Sequence, residues 1–386
     1  MNDDKIKLTG ITWNHSRGFT SMVATAQRFS ELHPNVVIRW EKRSLQAFAD
    51  EPIDQLAKRY DLLVIDHPWA GFAARNGVIL PLDQHLPGEF MNDQAQNTVG
   101  RSYESYSSGG HQWALAIDAA TPVAASRPDL FEARGLSIPS TYDDLLDLSK
   151  KGLVIMPCIP QDTLMNFYMM CCTLGEDVCT GEEEVVSLTI GVEALKLLRA
   201  LAVEMDPQVF DWNPIRVYEA MTQTDNYLYC PWAYGYSNYS RNGYARKLLH
   251  FHDMVDIDGM GKAISTLGGT GLAVSAQCQE IETAIRYVQY IASPQCQQSV
   301  FFDGGGQPGH RTAWTDRQTN FLTTDFFKNT LPALDRSFLR PRYNGHMYFQ
   351  DRAGTPIRDY LMSGGDEKAL LKQLDQLYIE SKKEQD

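Results

Sequence analysis

The sequence predicts an α/β fold of two lobes, and three observations carry the prediction. Strand-like and helix-like periodicities alternate over residues 5–65, as in a βαβαβ unit. The apolar run Leu62-Leu63-Val64-Ile65 then stops abruptly in Asp66-His67-Pro68-Trp69. A buried parallel strand ends this way when it delivers polar and aromatic groups to its carboxyl end, which is where open α/β sheets bind ligands. At 386 residues, 43% hydrophobic and 22% charged, the chain is long enough for two cores.

Taken in order, residues 5–12 alternate and are rich in β-formers. Residues 13–18, Trp13-Asn14-His15-Ser16-Arg17-Gly18, break that pattern, and 19–33 place Met22, Val23, Ala26, Phe29 and Leu32 at helical spacing. Residues 33–40 read as a second strand, entered after the helix stops before Pro34. Residues 44–58 read as a helix interrupted or restarted at Pro52, and 61–65 as the third strand, with right-handed crossovers expected throughout. Further on, Ser140 or Thr141 caps a helix whose first turn holds Asp143 and Asp144, an arrangement of capping and not of catalysis. Residues 190–205 form an amphipathic helix with Leu195, Leu198 and Leu201 or Val203 on its apolar face. Residues 267–275 are glycine-rich and then β-like, and 280–291 form a helix ended by Ser293-Pro294. There is no internal repeat and no low-complexity linker.

Charge excludes several partners. Lys and Arg total 35 against 48 Asp and Glu, a formal net charge of -13 with no dense basic run, which argues against nucleic acid and anionic lipid. A cleft can still be locally basic, and Arg17, Arg311 and His67 keep that open. Residues 1–7 are polar with no apolar leader behind them, and no run of about 18 apolar residues crosses a membrane. The seven cysteines, with Cys171 and Cys172 adjacent and Cys158, Cys230, Cys278 and Cys296 dispersed, read as buried reduced thiols and tilt the compartment toward cytoplasm.

Several segments together resemble one family. These are Arg59-Tyr60-Asp61-Leu62-Leu63-Val64-Ile65-Asp66 followed by Gly77-Val78-Ile79-Leu80-Pro81-Leu82-Asp83, and Phe29 to Ile38 with His33-Pro34 and Val36. Pro139-Ser140-Thr141-Tyr142-Asp143-Asp144, the return segment 267–275 and residues 304–311 complete the set. The pattern is similar to the solute-binding proteins of ABC importers, family 1, the type II or maltose-binding-protein-like group. That resemblance implies a periplasmic-binding-protein-like fold with an interlobe ligand cleft. Lobe one would take residues 1–118 and 271–309, and lobe two 119–270 and 310–386, with hinge crossings near 118, 269 and 308. It also implies that a small polar solute, a sugar or related organic molecule, is bound by hinge closure and delivered to the importer's membrane subunits. The location would be periplasmic or extracytoplasmic if a leader was trimmed, and cytoplasmic if the chain as given is full length. A monomer is expected, with no cofactor and no nucleic acid.

Within that resemblance three lobe-one loops are expected at the cleft: Trp13, Asn14, His15 and Arg17; Asp66, His67 and Trp69; and Gln307, His310 and Arg311. Their indoles, imidazoles and guanidinium groups suit a small polar ligand with a flat apolar part, and an anionic group is left open. Asp118 and Gly269 would lie at the hinge strands. From lobe two, residues 227–239 are crowded with Tyr and Trp, and Trp232, Tyr234 and Tyr236 are the expected stacking platform; ordinary strand packing by the same residues is the alternative. Residues 340–349 resemble a rim segment of the family but lack its second Pro, which puts a role for Arg342 or Tyr343 in doubt.

The alternative function is a leaderless cytoplasmic protein of the same fold, a sensor or an enzyme on a small organic substrate. Its best nucleophile would be Cys158, which precedes a helix start where a dipole could lower the thiol's pKa, but a small hydrophobe at a strand end is the favoured reading of that residue. His250 and His252 alternate on one strand face but lack metal-site companions, and the Gly304-Gly305-Gly306 run lacks the Lys-Ser/Thr of a phosphate loop. The ligand is left open between a neutral sugar and an organic acid or sugar phosphate.

Overall fold

The computed structural model describes residues 5–257 and 259–383. Its main strands, in chain order, are β1 (Ile6–Trp13), β2 (Val36–Arg43), β3 (Leu62–Ile65), β4 (Leu115–Ala120), β5 (Pro122–Ser126), β6 (Tyr229–Tyr234), β7 (His250–His252) and β8 (Gly268–Val274). The chain divides into two compact units. Unit 1 comprises residues 1–120, 268–320 and 342–344; unit 2 comprises 121–267, 321–341 and 345–386.

Unit 1 is built on a five-stranded sheet in the order β2-β1-β3-β8-β4. β1 pairs in parallel with β2, from Ile6 opposite Val36 to Trp13 opposite Arg43, and with β3 through Gly10 and Ile11. β8 runs antiparallel to both β3 and β4. All four residues of β3 are buried, as an apolar run without alternation requires of a central strand. The expected helix over 44–58 is two helices, Leu45–Asp50 and Ile53–Ala57. Pro52, which has no N–H to give the ladder, stands between them. The core gathers Leu8, Leu62, Val64 and Leu272 from one face of the sheet with Phe29 and Ile291 from helices.

Unit 2 carries a three-stranded antiparallel sheet, β6-β5-β7, beside a group of packed helices that includes Pro160–Thr173, Leu188–Ala202, His346–Ser363 and Glu367–Lys383. Helix Tyr142–Ser149 begins with the expected cap as a full capping box: Thr141 accepts from the Asp144 amide, and the Asp144 carboxylate accepts from the Thr141 amide. Helix Leu188–Ala202 buries Leu195, Leu198 and Leu201, while Val203 is half exposed and off the apolar face.

Candidate functional site

The first loop departs from its sequence reading at Trp13. This residue is the last of β1 and lies in the unit 1 core, its ring 5.4 Å from that of Phe48. Gly18 makes room for it, since a Cβ there would sit 2.3 Å from the indole. Residues 14–18 then turn tightly into the π-helical stretch Ser16–Thr20. Asn14 is exposed and half-buried His15 caps the turn, its Nδ1 accepting from the Arg17 amide at 3.0 Å. Burial and the nearby Arg17 charge lower the His15 pKa to about 3, so the ring is neutral and able to accept.

Arg17 does not present a free cation. Its Nε donates to Asp118 Oδ2 at 2.7 Å and its Nη2 to Oδ1 at 2.5 Å, a bidentate pair with both side chains buried. Burial raises the Asp118 carboxyl above its ordinary pKa, against the pull of Arg17 and of the Gln307 and Thr270 amides. Residues from three parts of the sequence therefore meet around one carboxylate. Gln307 doubles the junction, with its Nε2 on the Ala119 carbonyl at 2.7 Å and its own carbonyl accepting from the Ala119 amide. Gly269 is held at φ +96°, and a Cβ would meet the Asp118 carbonyl oxygen at 2.3 Å, so close backbone crossing excludes any side chain.

The second loop keeps Asp66, His67 and Trp69 together at the carboxyl end of β3, all buried. Asp66 accepts from the His67 amide at 2.9 Å, and Trp69 opens helix Trp69–Asn76. The Trp69 ring packs edge-on against Phe72. In the third loop His310 is buried and faces Asp93 at 3.2 Å and Thr312 at 2.8 Å, with burial lowering its pKa. Arg311 is half-buried at the start of the short helix Arg311–Thr315. Arg342 is anchored on the carbonyls of Glu104 and Ser107 within unit 1.

In unit 2, Trp232 is completely buried on β6 and Tyr236 nearly so, whereas Tyr234 is half-buried with its hydroxyl 3.2 Å from Thr266 Oγ1. Tyr218 locks this region by donating to the Ala233 or Tyr234 carbonyl. Of the two readings of Cys158, the structure favours the buried small hydrophobe over the activated thiol. Its amide bonds the Val209 and Trp212 carbonyls, and complete burial with the neighbouring Asp162 carboxyl pushes the thiol well above its ordinary range. A helix start two residues later does not offset that desolvation.

Sequence reasoning missed Asp162 altogether. It lies in the first turn of helix Pro160–Thr173, where an acid reads as a dipole-compensating surface residue. Instead it is buried, its Oδ2 has no partner, and desolvation raises its pKa to about 8. Other buried polar atoms likewise stand unpartnered: Trp13 Nε1, Trp69 Nε1 and Thr270 Oγ1 in unit 1, and Trp232 Nε1 in unit 2. Buried donors and acceptors normally find partners, so each is a place where a bound molecule can supply one.

Residues 12–153 match the sequence profile of the family described as bacterial extracellular solute-binding protein. The fold of the whole chain is similar to that of the maltose-bound T. maritima MalE3, with a TM-score of 0.84 at 15% identity, covering 97% of this chain and 99% of that one. The fold is that of the maltose-binding-protein-like solute-binding proteins. A ribitol complex of an ABC transporter solute-binding protein from Agrobacterium radiobacter is alike at TM-score 0.82, 18% identity and coverages of 98% and 99%. An α-D-tagatose complex from Thermotoga lettingae aligns at 0.81, 16% identity and coverages of 98% and 100%. Among curated proteins no sequence matches this chain.

Proposed function

We propose that this protein binds a small, neutral, polyhydroxylated solute and presents it to an ABC importer outside the cytoplasm. The observation that carries the neutral assignment is the Arg17–Asp118 pair. A guanidinium fork is a strong partner for an anionic solute, and the fork of Arg17 is already engaged by a carboxylate. His15 and His310 point the same way, since burial favours their neutral rings. What unit 1 offers instead are the Trp69 N–H group and the Thr270 hydroxyl, alongside an indole face that suits sugar C–H surfaces. Unit 2 offers the Trp232 N–H, the half-buried Tyr234 ring and the Asp162 carboxyl, which is protonated near neutral pH and able to donate.

Relatives of this fold have been found with maltose, ribitol and α-D-tagatose, all uncharged and rich in hydroxyls. Hinge motion at the chain crossings would couple solute binding to recognition by the importer. The enzymatic reading loses its nucleophile, because a thiol held well above its ordinary pKa is inert at neutral pH. Mass spectrometry of the small molecules released on denaturing freshly purified protein tests the proposal. A neutral sugar or polyol at near-stoichiometric amount is expected; a phosphate ester or carboxylic acid in its place would contradict the neutral assignment.

A further inference from the structure

The cysteines of unit 2 carry an inference independent of solute binding. All seven cysteines of the chain are thiols in this structure, yet three of them, Cys171, Cys172 and Cys179, gather where helix Pro160–Thr173 ends. The chain turns back after Leu174, its turn closed by the Gly175 amide on the Cys172 carbonyl at 3.1 Å and the Glu176 amide on the Cys171 carbonyl at 3.2 Å. The returning segment comes against the helix face just left. The Cys172 thiol accepts from the Val178 amide and touches the Asp177 side chain, one residue before Cys179. The Cys179 sulfur lies 3.9 Å from the hydroxyl of Tyr168, which is one helical turn before Cys172 on the same face.

Cys179 is held in place by its surroundings. Its backbone is left-handed at φ +58°, a conformation a non-glycine residue keeps only when neighbours impose it. The neighbours are the Val185 carbonyl, which accepts from the Cys179 amide at 2.7 Å, and the Tyr378 hydroxyl, which donates to the Cys179 carbonyl at 2.9 Å. Lys382 and Asp375 add bonds to the Gly181 and Glu182 carbonyls and to the Val185 amide. Residues 177–185 are thus stitched to helix Glu367–Lys383, and the side facing Cys172 is fixed.

We propose that Cys172 and Cys179 are a disulfide pair, joined when the chain folds under thiol-oxidising conditions, that pins the returning segment to the end of helix Pro160–Thr173. Timing follows from chemistry. In the folded protein burial raises both thiols to about 12, which leaves almost no thiolate and makes exchange slow. In the unfolded chain both have ordinary thiol pKa values, and the short loop between them closes readily. With oxidised glutathione, one cysteine thiolate attacks a glutathione sulfur and releases one glutathione thiolate. The second cysteine thiolate then attacks the protein sulfur of the mixed disulfide and releases the other. Two protein thiols are oxidised by two electrons and one oxidised glutathione becomes two reduced ones. Both Cys171 and Cys172 neighbour Cys179, and Cys172 is assigned as the partner because its sulfur also meets the Val178 amide of the returning backbone.

Refolding the full chain in a glutathione redox buffer, beside a dithiothreitol control, tests this. Expected results are the loss of two of the seven thiols to titration in denaturant, a 172–179 linked peptide in non-reducing digests, and a melting temperature higher by roughly 5 °C. Cys171→Ser should retain the link, and Cys172→Ser and Cys179→Ser should each abolish the link and the thermal gain. Seven titratable thiols after oxidative refolding, or a linked peptide joining any other pair, would overturn the proposal.

Discussion

In unit 1 the charged group best placed to meet a solute, Arg17, has both prongs of its fork taken by Asp118. In unit 2 the one fully buried carboxyl near the aromatic strand, Asp162, has an oxygen with no partner and a pKa raised to about 8. The same problem, burial of an ionisable group, is met by pairing in one unit and by protonation in the other. Both outcomes remove net charge from the candidate contact surfaces. Both leave neutral hydrogen-bonding groups in place: indole N–H, hydroxyl and carboxylic acid. That uncharged set matches the hydroxyls of a polyol or sugar and sets no net positive charge against the desolvation of an anion.

Breaking the pair in unit 1 should have the largest effect. Asp118→Ala leaves a buried guanidinium uncompensated and is expected to cost about 3–5 kcal/mol in denaturant unfolding, whereas the double change Arg17→Met with Asp118→Leu should recover most of it. An equally damaged double variant would mean the loss is packing and not charge. Removing the ionisation in unit 2 should act in the opposite direction. Asp162 has a folded pKa above its unfolded value, so the folded state holds its proton more tightly. The stability it contributes is fully present below about pH 4 and is lost as pH rises toward 8. Asp162→Asn cannot ionise and should be more stable than the parent by roughly 4 kcal/mol at pH 7, with the gap vanishing near pH 4. Urea titrations at both pH values check this; a gap that does not change with pH would show that Asp162 is ionised in the fold.

Gly269→Ala probes the junction that holds Asp118 in place. The left-handed φ and the close Asp118 carbonyl predict a loss of roughly 2 kcal/mol, again read by urea unfolding. The smallest effects belong to the unpartnered indoles. Trp69→Phe and Trp232→Phe remove N–H groups that bond nothing in the protein, so stability should change little while solute affinity falls about fivefold to tenfold, near 1 kcal/mol. Unchanged affinity in both variants would remove these rings from the contact set.

The fold was legible where local signals suffice. The βαβαβ start follows from the alternation before Trp13, the helix stop at Pro34 and the apolar run of β3, and the Thr141 capping box is visible as spacing alone. Pro52 marked where the helix over 44–58 breaks and restarts. The candidate site was legible only in outline, because its decisive contacts are long-range. Arg17 and Asp118 lie 101 residues apart, and nothing near either one marks the other as its partner. Asp162 looked like an ordinary first-turn acid, since burial of a helix start is decided by tertiary packing. Cys158 kept two readings open for the same reason: a dipole can be read from sequence, the desolvation that outweighs it cannot.

The most direct test of the neutral-solute claim is calorimetric titration of solute-stripped protein with two sets of compounds. One set is maltose, ribitol, tagatose and mannitol; the other is glucose 6-phosphate, malate and inorganic phosphate. Saturable binding to at least one member of the first set, with none to the second, is the expected result. Saturable binding confined to the phosphorylated or carboxylate compounds would contradict it.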